Sequence, residues 1–388
     1  GTALAEAELE YEDHVSPSIF VAFAVKELPS GLQKLKTYLG KLSIVIWTTT
    51  PWTLPGNVAV ALHPSYTYVA LKTSKGVYVV AEGRAEAFAN TAGLRDALVI
   101  EKIEGSAWEG AELTHPFLPD RKVVAVLDEM VTLDQGTGAV HIAPGHGQED
   151  YMVGLKYQLP IVMPVDGKGF LTEEAGPFIN HYVGHDWLIK IKKHEIEKCA
   201  NCEIIEYLKG TGALLAQMDI RHSYPHCWRC KNPVIFRATE QWFLSVDHEG
   251  LRQGSLAAIQ KTAWYPAWGE SRITSMVEGR PDWCLSRQRS WGIPVPAFYC
   301  EKCNTPHLTG KFNEAIQSVV REGGTDAYFQ KSAKEIIGHG AKCSKCGGSD
   351  FRKEEDILDV WFESGSSHYA VLKDRDGLKW PADLYLEG

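Results

Sequence analysis

The 388-residue sequence has no apolar run approaching the roughly 20 residues a membrane-spanning helix needs, which argues against a helical membrane protein. No basic, apolar leader with a small-residue end precedes Thr2, so a cytoplasmic location is the default expectation, and a first residue of Gly rather than Met suggests an excised piece. A basic excess is missing too. Lys and Arg total 40 against 49 Asp and Glu, a net charge of −9, so any contact with a polyanion must be local. Candidates are Lys190, Lys192 and Lys193, which read equally well as a solvated face, and Arg272, Arg280, Arg287 and Arg289. There is no internal repeat, no low-complexity tract and no evident Ser-His-Asp relay.

What is present suits a soluble chain of two or three domains, since 44% hydrophobic and 10% aromatic content supports a buried core. The 9 cysteines fall as Cys-x-x-Cys pairs plus Cys284, and without a secretory leader that pattern favours reduced thiols and metal over disulfides. Cys300, Cys303, Cys343 and Cys346 form two knuckles in turn-rich sequence, the pattern of a structural zinc ribbon, with free buried thiols as the alternative. Cys227 and Cys230 make another knuckle whose only obvious partners, Cys199 and Cys202, lie in a helical pattern; a second zinc is left open.

From "SIFVAFAV" to "GKGFLTEE" the signals are mostly β, with helical segments near "GRAEAFANTAG" and "GQEDYMVGLKYQ". The opening "ALAEAELEYED" fits helix or strand equally, and Asp186 to about Gly210 reads as helix. Beyond "HSYPHCWRC" tryptophans and cysteines cluster between Pro-rich turns, marking a second domain.

Two stretches carry the chemistry. In "IWTTTPWTLPGN", Thr48, Thr49 and Thr50 end a strand, Pro51 and Pro55 deny the segment a regular ladder, and Asn57 follows. In "GTGAVHIAPGHGQEDYMVG", His141 lies on a strand and Asp150 at a helix start, placed to face one crevice. Each alone reads as structural. Together, hydroxyls, an amide, an imidazole, a carboxylate and backbone groups freed by proline make a pocket suited to a substrate with hydroxyls and an ammonium group, with water as the nucleophile.

These motifs, with "HSYPHCWRCKNPVIFRATEQWF", "WCLSRQRSWGIPVP", "DILDVWFESGSSH" and "YLEG", resemble isoleucyl-tRNA synthetases of bacterial type across essentially the whole chain. The related valyl and leucyl enzymes carry Thr-Thr-Arg-Pro where this chain has Thr48-Thr49-Thr50-Pro51. The resemblance implies an α/β fold: residues 1–19 linking from the catalytic domain, a β-rich, barrel-like editing domain at 20–215, and a return segment at 216–388. That last part would be a piece of a Rossmann-type catalytic domain with a zinc-ribbon insertion at about 300–346. It implies hydrolysis of Val-tRNA bearing the isoleucine anticodon. A hydrophobic pocket extracts only about 1–3 kcal/mol from one methylene, a limit for which the isoleucyl enzymes are the usual illustration, and a smaller second pocket removes the error.

Carried over by motif, Asp150 would bind the aminoacyl ammonium, while Thr48, Thr49, Thr50 and Asn57 would contact the terminal adenosine or position water. His141 would form the wall that rejects isoleucine. Trp291 would pack on isoleucine in the synthetic site, and Glu387 and Gly388 would contact the aminoacyl-adenylate. The expected partners are tRNA and a valine ester, with no membrane and a monomeric state. Motifs of the His-Ile-Gly-His and Lys-Met-Ser-Lys-Ser types are missing, so ATP and Mg2+ belong to the full-length enzyme and this piece should not charge tRNA alone. The competing reading is a zinc-ribbon module that binds RNA or protein without hydrolysis.

Overall fold

The computed structural model describes residues 2–4, 8–184, 198–373 and 375–386. Two compact units divide between Thr239 and Glu240. Among the described residues, no helix is long and apolar enough to cross a membrane.

In the first unit the strands are β1 (Leu9–Glu27), β2 (Leu42–Thr48), β3 (Ala59–Leu62), β4 (Thr67–Lys72), β5 (Val77–Ala81), β6 (Leu98–Glu104), β7 (Glu112–Thr114), β8 (Lys122–Leu127), β9 (Ala139–Ile142) and β10 (Leu214–Cys227). They form one mixed sheet in the order β6-β4-β5-β2-β1-β7-β8-β3-β9, with β10 pairing antiparallel along β1. The β2/β5 and β3/β8 pairs are parallel and the rest antiparallel. Among the described residues the expected barrel-like closure is not formed: β6 and β9 end an open sheet.

Alternation explains why the middle of this sheet, at β2, β3, β4 and β5, is buried on both faces. Ile44 and Ile46 of β2, Tyr68 and Ala70 of β4, and Val77 and Val79 of β5 enter one core. Their neighbours Val45, Val69, Leu71, Tyr78 and Val80 enter another, closed by Phe88 of α1 (Glu82–Thr91). On β3 the same split sends Val60 and Leu62 to the main core and Ala59 and Ala61 to a third, where Val153 of α2 (Gln148–Tyr157) covers them. Both helices fall where the sequence pattern put them. Of the segment read as helix from Asp186, residues 186–197 lie outside the described residues, and α3 (Ala200–Thr211) forms most of the rest.

The second unit carries short antiparallel pairings: β11 (Phe243–Leu244) with β12 (Trp283–Cys284), β13 (Ser286–Arg287) with β17 (Ile357–Leu358), and β14 (Phe298–Cys300) between β15 (Pro306–His307) and β16 (Phe351–Lys353). No parallel Rossmann sheet appears among its described residues. The same unit carries helices α4 (Leu251–Lys261), α5 (Gly269–Glu278), α6 (Lys311–Gln330), α7 (Ala333–Ile337) and α8 (Val360–Ala370). A core of Phe298, Ile316, Val319, Tyr328 and Phe351 joins α6 to the three-stranded sheet.

Candidate functional site

The threonine stretch begins where β2 stops. Thr48 is the last residue paired with β1, opposite Ile19. Pro51 then opens a short 3-10 turn, Pro51–Gly56, whose first position suits proline because the missing N–H would have had no partner there. The turn folds the hydroxyls onto one another. The Thr50 backbone N–H donates to Thr48 Oγ1 at 3.1 Å, and the Thr48 and Thr50 hydroxyls lie 3.4 Å apart. Thr53 stands 3.4 Å from Thr50 Oγ1, and its hydroxyl donates to the Thr50 carbonyl at 2.9 Å.

Thr53 then meets His141 of β9, with Oγ1 and Nε2 3.1 Å apart. Since the Thr53 proton is already given to Thr50, His141 donates through Nε2–H and keeps its lone pair on Nδ1. Burial holds this imidazole neutral by lowering its pKa to about 4. Nδ1 is buried without a hydrogen-bond partner, as are Asn57 Oδ1 and His146 Nε2. A hydroxyl chain thus runs from Thr48 through Thr50 and Thr53 to an imidazole. Thr49 stands half-buried outside it.

The end of β9 joins the remaining residues. Val58 N–H donates to the Ile142 carbonyl at 3.0 Å, and Asn57 Nδ2 donates to Ala59 O at 2.8 Å. The next residue, Ala143, gives its N–H to Asp150 Oδ2 at 2.8 Å from the first turn of α2. Burial raises Asp150 to about 6, partly opposed by this bond. It is therefore a mostly ionised carboxylate at neutral pH that water solvates poorly, an arrangement that favours a cationic ligand. The Gly-Thr-Gly before β9 is also explained. Gly138 has φ of 74°, and a Cβ there would lie 2.4 Å from Ala81 Cβ.

The backbone groups released by the prolines do not face the crevice as expected. His115 Nε2–H donates to Leu54 O at 2.9 Å, Arg121 Nη1 donates to Pro55 O, and the Trp52 N–H donates to Asn201 Oδ1 at 2.9 Å. Buried backbone groups need partners, and side chains supply them here. Sequence reasoning missed Thr53, His115, His146 and Asn201. Of these only Thr53 left a local signal, its three-residue spacing from Thr50 within a proline-initiated turn.

In the second unit Cys300, Cys303, Cys343 and Cys346 converge, with sulfurs within 4.8 Å of one another. The shortest separations are 3.5 Å for Cys300 to Cys346 and 3.6 Å for Cys303 to Cys343. Four thiolates bound at about 2.3 Å to one tetrahedral ion would stand nearly that far apart. Gly348 makes room, since a Cβ there would lie 3.2 Å and 3.3 Å from two of the sulfurs. The other set does not assemble. Cys199 and Cys202 are joined by a disulfide, while Cys227 and Cys230 remain free thiols.

Trp291 is 93% exposed. Glu387 and Gly388, like Lys190, Lys192 and Lys193, lie outside the described residues. Arg287 is occupied internally: it donates to Asp359 Oδ2 at 2.8 Å and to the Cys284 carbonyl at 2.8 Å, holding β13 beside β17. Its fork therefore organises the unit rather than offering a phosphate contact. Arg272 and Arg280 are exposed, Arg280 lying over the Trp283 ring.

Comparison with known proteins places the chain among tRNA synthetases. The chain is 48% identical over 387 residues to an isoleucine–tRNA ligase of Kosmotoga olearia, covering all of this chain and 39% of that protein. It is 51% identical over 387 residues to the ligase of the same name from Fervidobacterium pennivorans (39% of that protein), and 50% identical over 390 residues to that of Carboxydothermus hydrogenoformans (40%). The chain thus spans about two fifths of the length of these relatives. A solved structure described as the crystal structure of GlLeuRS-CP1 aligns at 16% identity with a TM-score of 0.37, over 51% of this chain and 97% of that chain, a likeness too loose to bear weight. The family model for tRNA synthetases class I (I, L, M and V) matches residues 1–388, and the chain belongs to that family.

Proposed function

We propose that this chain is the editing portion of a bacterial-type isoleucyl-tRNA synthetase together with the zinc-bearing return into its catalytic domain. The observation that carries this reading is the hydroxyl chain from Thr48 through Thr50 and Thr53 to His141 of β9, with Asp150 bonded to the backbone of Ala143 just past the same strand. Its intrinsic reaction is hydrolysis of valine from tRNA that carries the isoleucine anticodon.

Asp150 takes the α-ammonium, an ion pair strengthened by the same burial that raises its pKa. The hydroxyls of Thr48, Thr49 and Thr50, with Asn57, bind the terminal adenosine and hold a water against the ester carbonyl. An aminoacyl ester is already activated, so positioning and fixed dipoles suffice without a strong base. His141, held neutral and anchored by Thr53, forms the wall that excludes the larger isoleucine side chain.

The four-cysteine cluster holds a structural zinc, which ties the turn after β14 to the turn before β16. Trp291, Glu387 and Gly388 belong to the isoleucine and adenylate site of the whole enzyme. Charging of tRNA with ATP and Mg2+ is likewise a property of that whole enzyme, a cytoplasmic monomer. The test is deacylation of Val-tRNA(Ile) by the purified chain: we expect release of valine, lost on Asp150→Ala. Binding of tRNA with no hydrolysis would favour a pure binding module.

A further inference from the structure

One polar contact reaches the threonine turn from far along the chain. The N–H of buried Trp52 donates to Asn201 Oδ1 at 2.9 Å. Trp52 also sets its ring edge against His146, with centroids 5.1 Å apart. Asn201 sits at the start of α3 between Cys199, the N-cap, and Cys202, and these two sulfurs are bonded to each other. Beneath them Ala200 is fully buried and its N–H donates to the Tyr182 carbonyl at 2.9 Å. Cys202 is exposed and Cys199 half-buried, so a small thiol or disulfide can reach the pair. A cysteine at a helix N-terminus has its thiolate stabilised by the helix dipole, which favours exchange chemistry.

We propose that Asn201 is a positioning residue for the threonine turn, and that the Cys199–Cys202 bond, by fixing the short turn that presents Asn201, makes editing respond to thiol redox state. This rests on the deacylase reading above. Formation of the bond is a two-electron oxidation by a low-molecular-weight disulfide. The thiolate of one cysteine attacks the small disulfide and releases one small thiol; the second cysteine then displaces the other. One sulfur–sulfur bond is broken and one made, and the two protons leave on the small thiols.

The experiment measures kcat and KM for Val-tRNA(Ile) with the oxidised chain, the chain reduced by a phosphine, and the variants Asn201→Ala, Asn201→Asp and Cys202→Ser, with folding checked by circular dichroism. Losing one neutral hydrogen bond corresponds to roughly a 5- to 10-fold effect. That fall is expected in kcat for Asn201→Ala, with KM nearly unchanged, whereas Asn201→Asp retains an oxygen acceptor and most of the rate. Reduction and Cys202→Ser lower kcat in the same direction, and reduction has no further effect in Asn201→Ala. Wild-type kcat in Asn201→Ala, or an equal loss on reduction in both backgrounds, overturns the proposal while the deacylase reading stands. If Asn201→Ala fails to fold, an unchanged kcat after reduction of the wild-type chain overturns it. A wild-type chain that does not deacylate at all removes the functional reading and this proposal with it.

Discussion

Replacing Asp150 by Asn should cost activity and add stability, and the addition should depend on pH in a way only a buried carboxylate produces. Burial raises Asp150 from 3.8 to about 6. A group whose folded value lies above its unfolded value favours folding while protonated, and that contribution is lost as pH rises through the folded value. Wild type therefore carries a burden at neutral pH that the Asn variant does not. The two-unit shift, at about 1.4 kcal/mol per unit, predicts that the stability of Asp150→Asn minus that of wild type rises by about 2 kcal/mol between about pH 4.5 and about pH 8. The lower limit is set by His115, His141 and His146, which burial keeps neutral and which oppose folding as pH falls below their ordinary range. Both proteins share that loss, and the new amide adds only a constant, so the difference isolates Asp150. Urea unfolding at the two pH values measures it. A flat difference, or one that falls with pH, would refute the claim that Asp150 is ionised in a poorly solvated site.

Two further outcomes concern the second unit. The chain should bind one zinc, measured by atomic absorption after dialysis, and Cys343→Ser should lose it and unfold at lower temperature while Cys284→Ser keeps it, because only Cys343 belongs to the cluster and to the core around it. The fully buried Tyr328 hydroxyl lies 3.1 Å from the carbonyls of both Ala297 and Glu354; Tyr328→Phe should cost about 1–2 kcal/mol in denaturant unfolding, and a loss below about 0.5 kcal/mol would show that those carbonyls find other partners.

Local chemistry was legible in the sequence where a short pattern determines it. The β-branched end of β2, the two prolines, the strand before Pro144 and the acidic first turn of α2 appear as read, and the four ribbon cysteines meet as their spacing implies. What was not legible depends on register or on distant partners. The first half of β1 pairs with β10 and is largely exposed, so it carries no alternation to separate strand from helix. Barrel closure requires the end strands of a sheet to meet, which no single strand encodes. The backbone groups at Trp52, Leu54 and Pro55 looked available because their partners, Asn201, His115 and Arg121, lie far away in sequence.

The central claim is exclusion by size, and the relative rate of deacylation of Val-tRNA(Ile) and Ile-tRNA(Ile) by this chain tests it most directly. A pocket walled by His141 predicts rapid release of valine and little of isoleucine, with His141→Ala raising isoleucine release and narrowing the ratio. Equal release of both amino acids by the wild-type chain, or an unchanged ratio in His141→Ala, would contradict it.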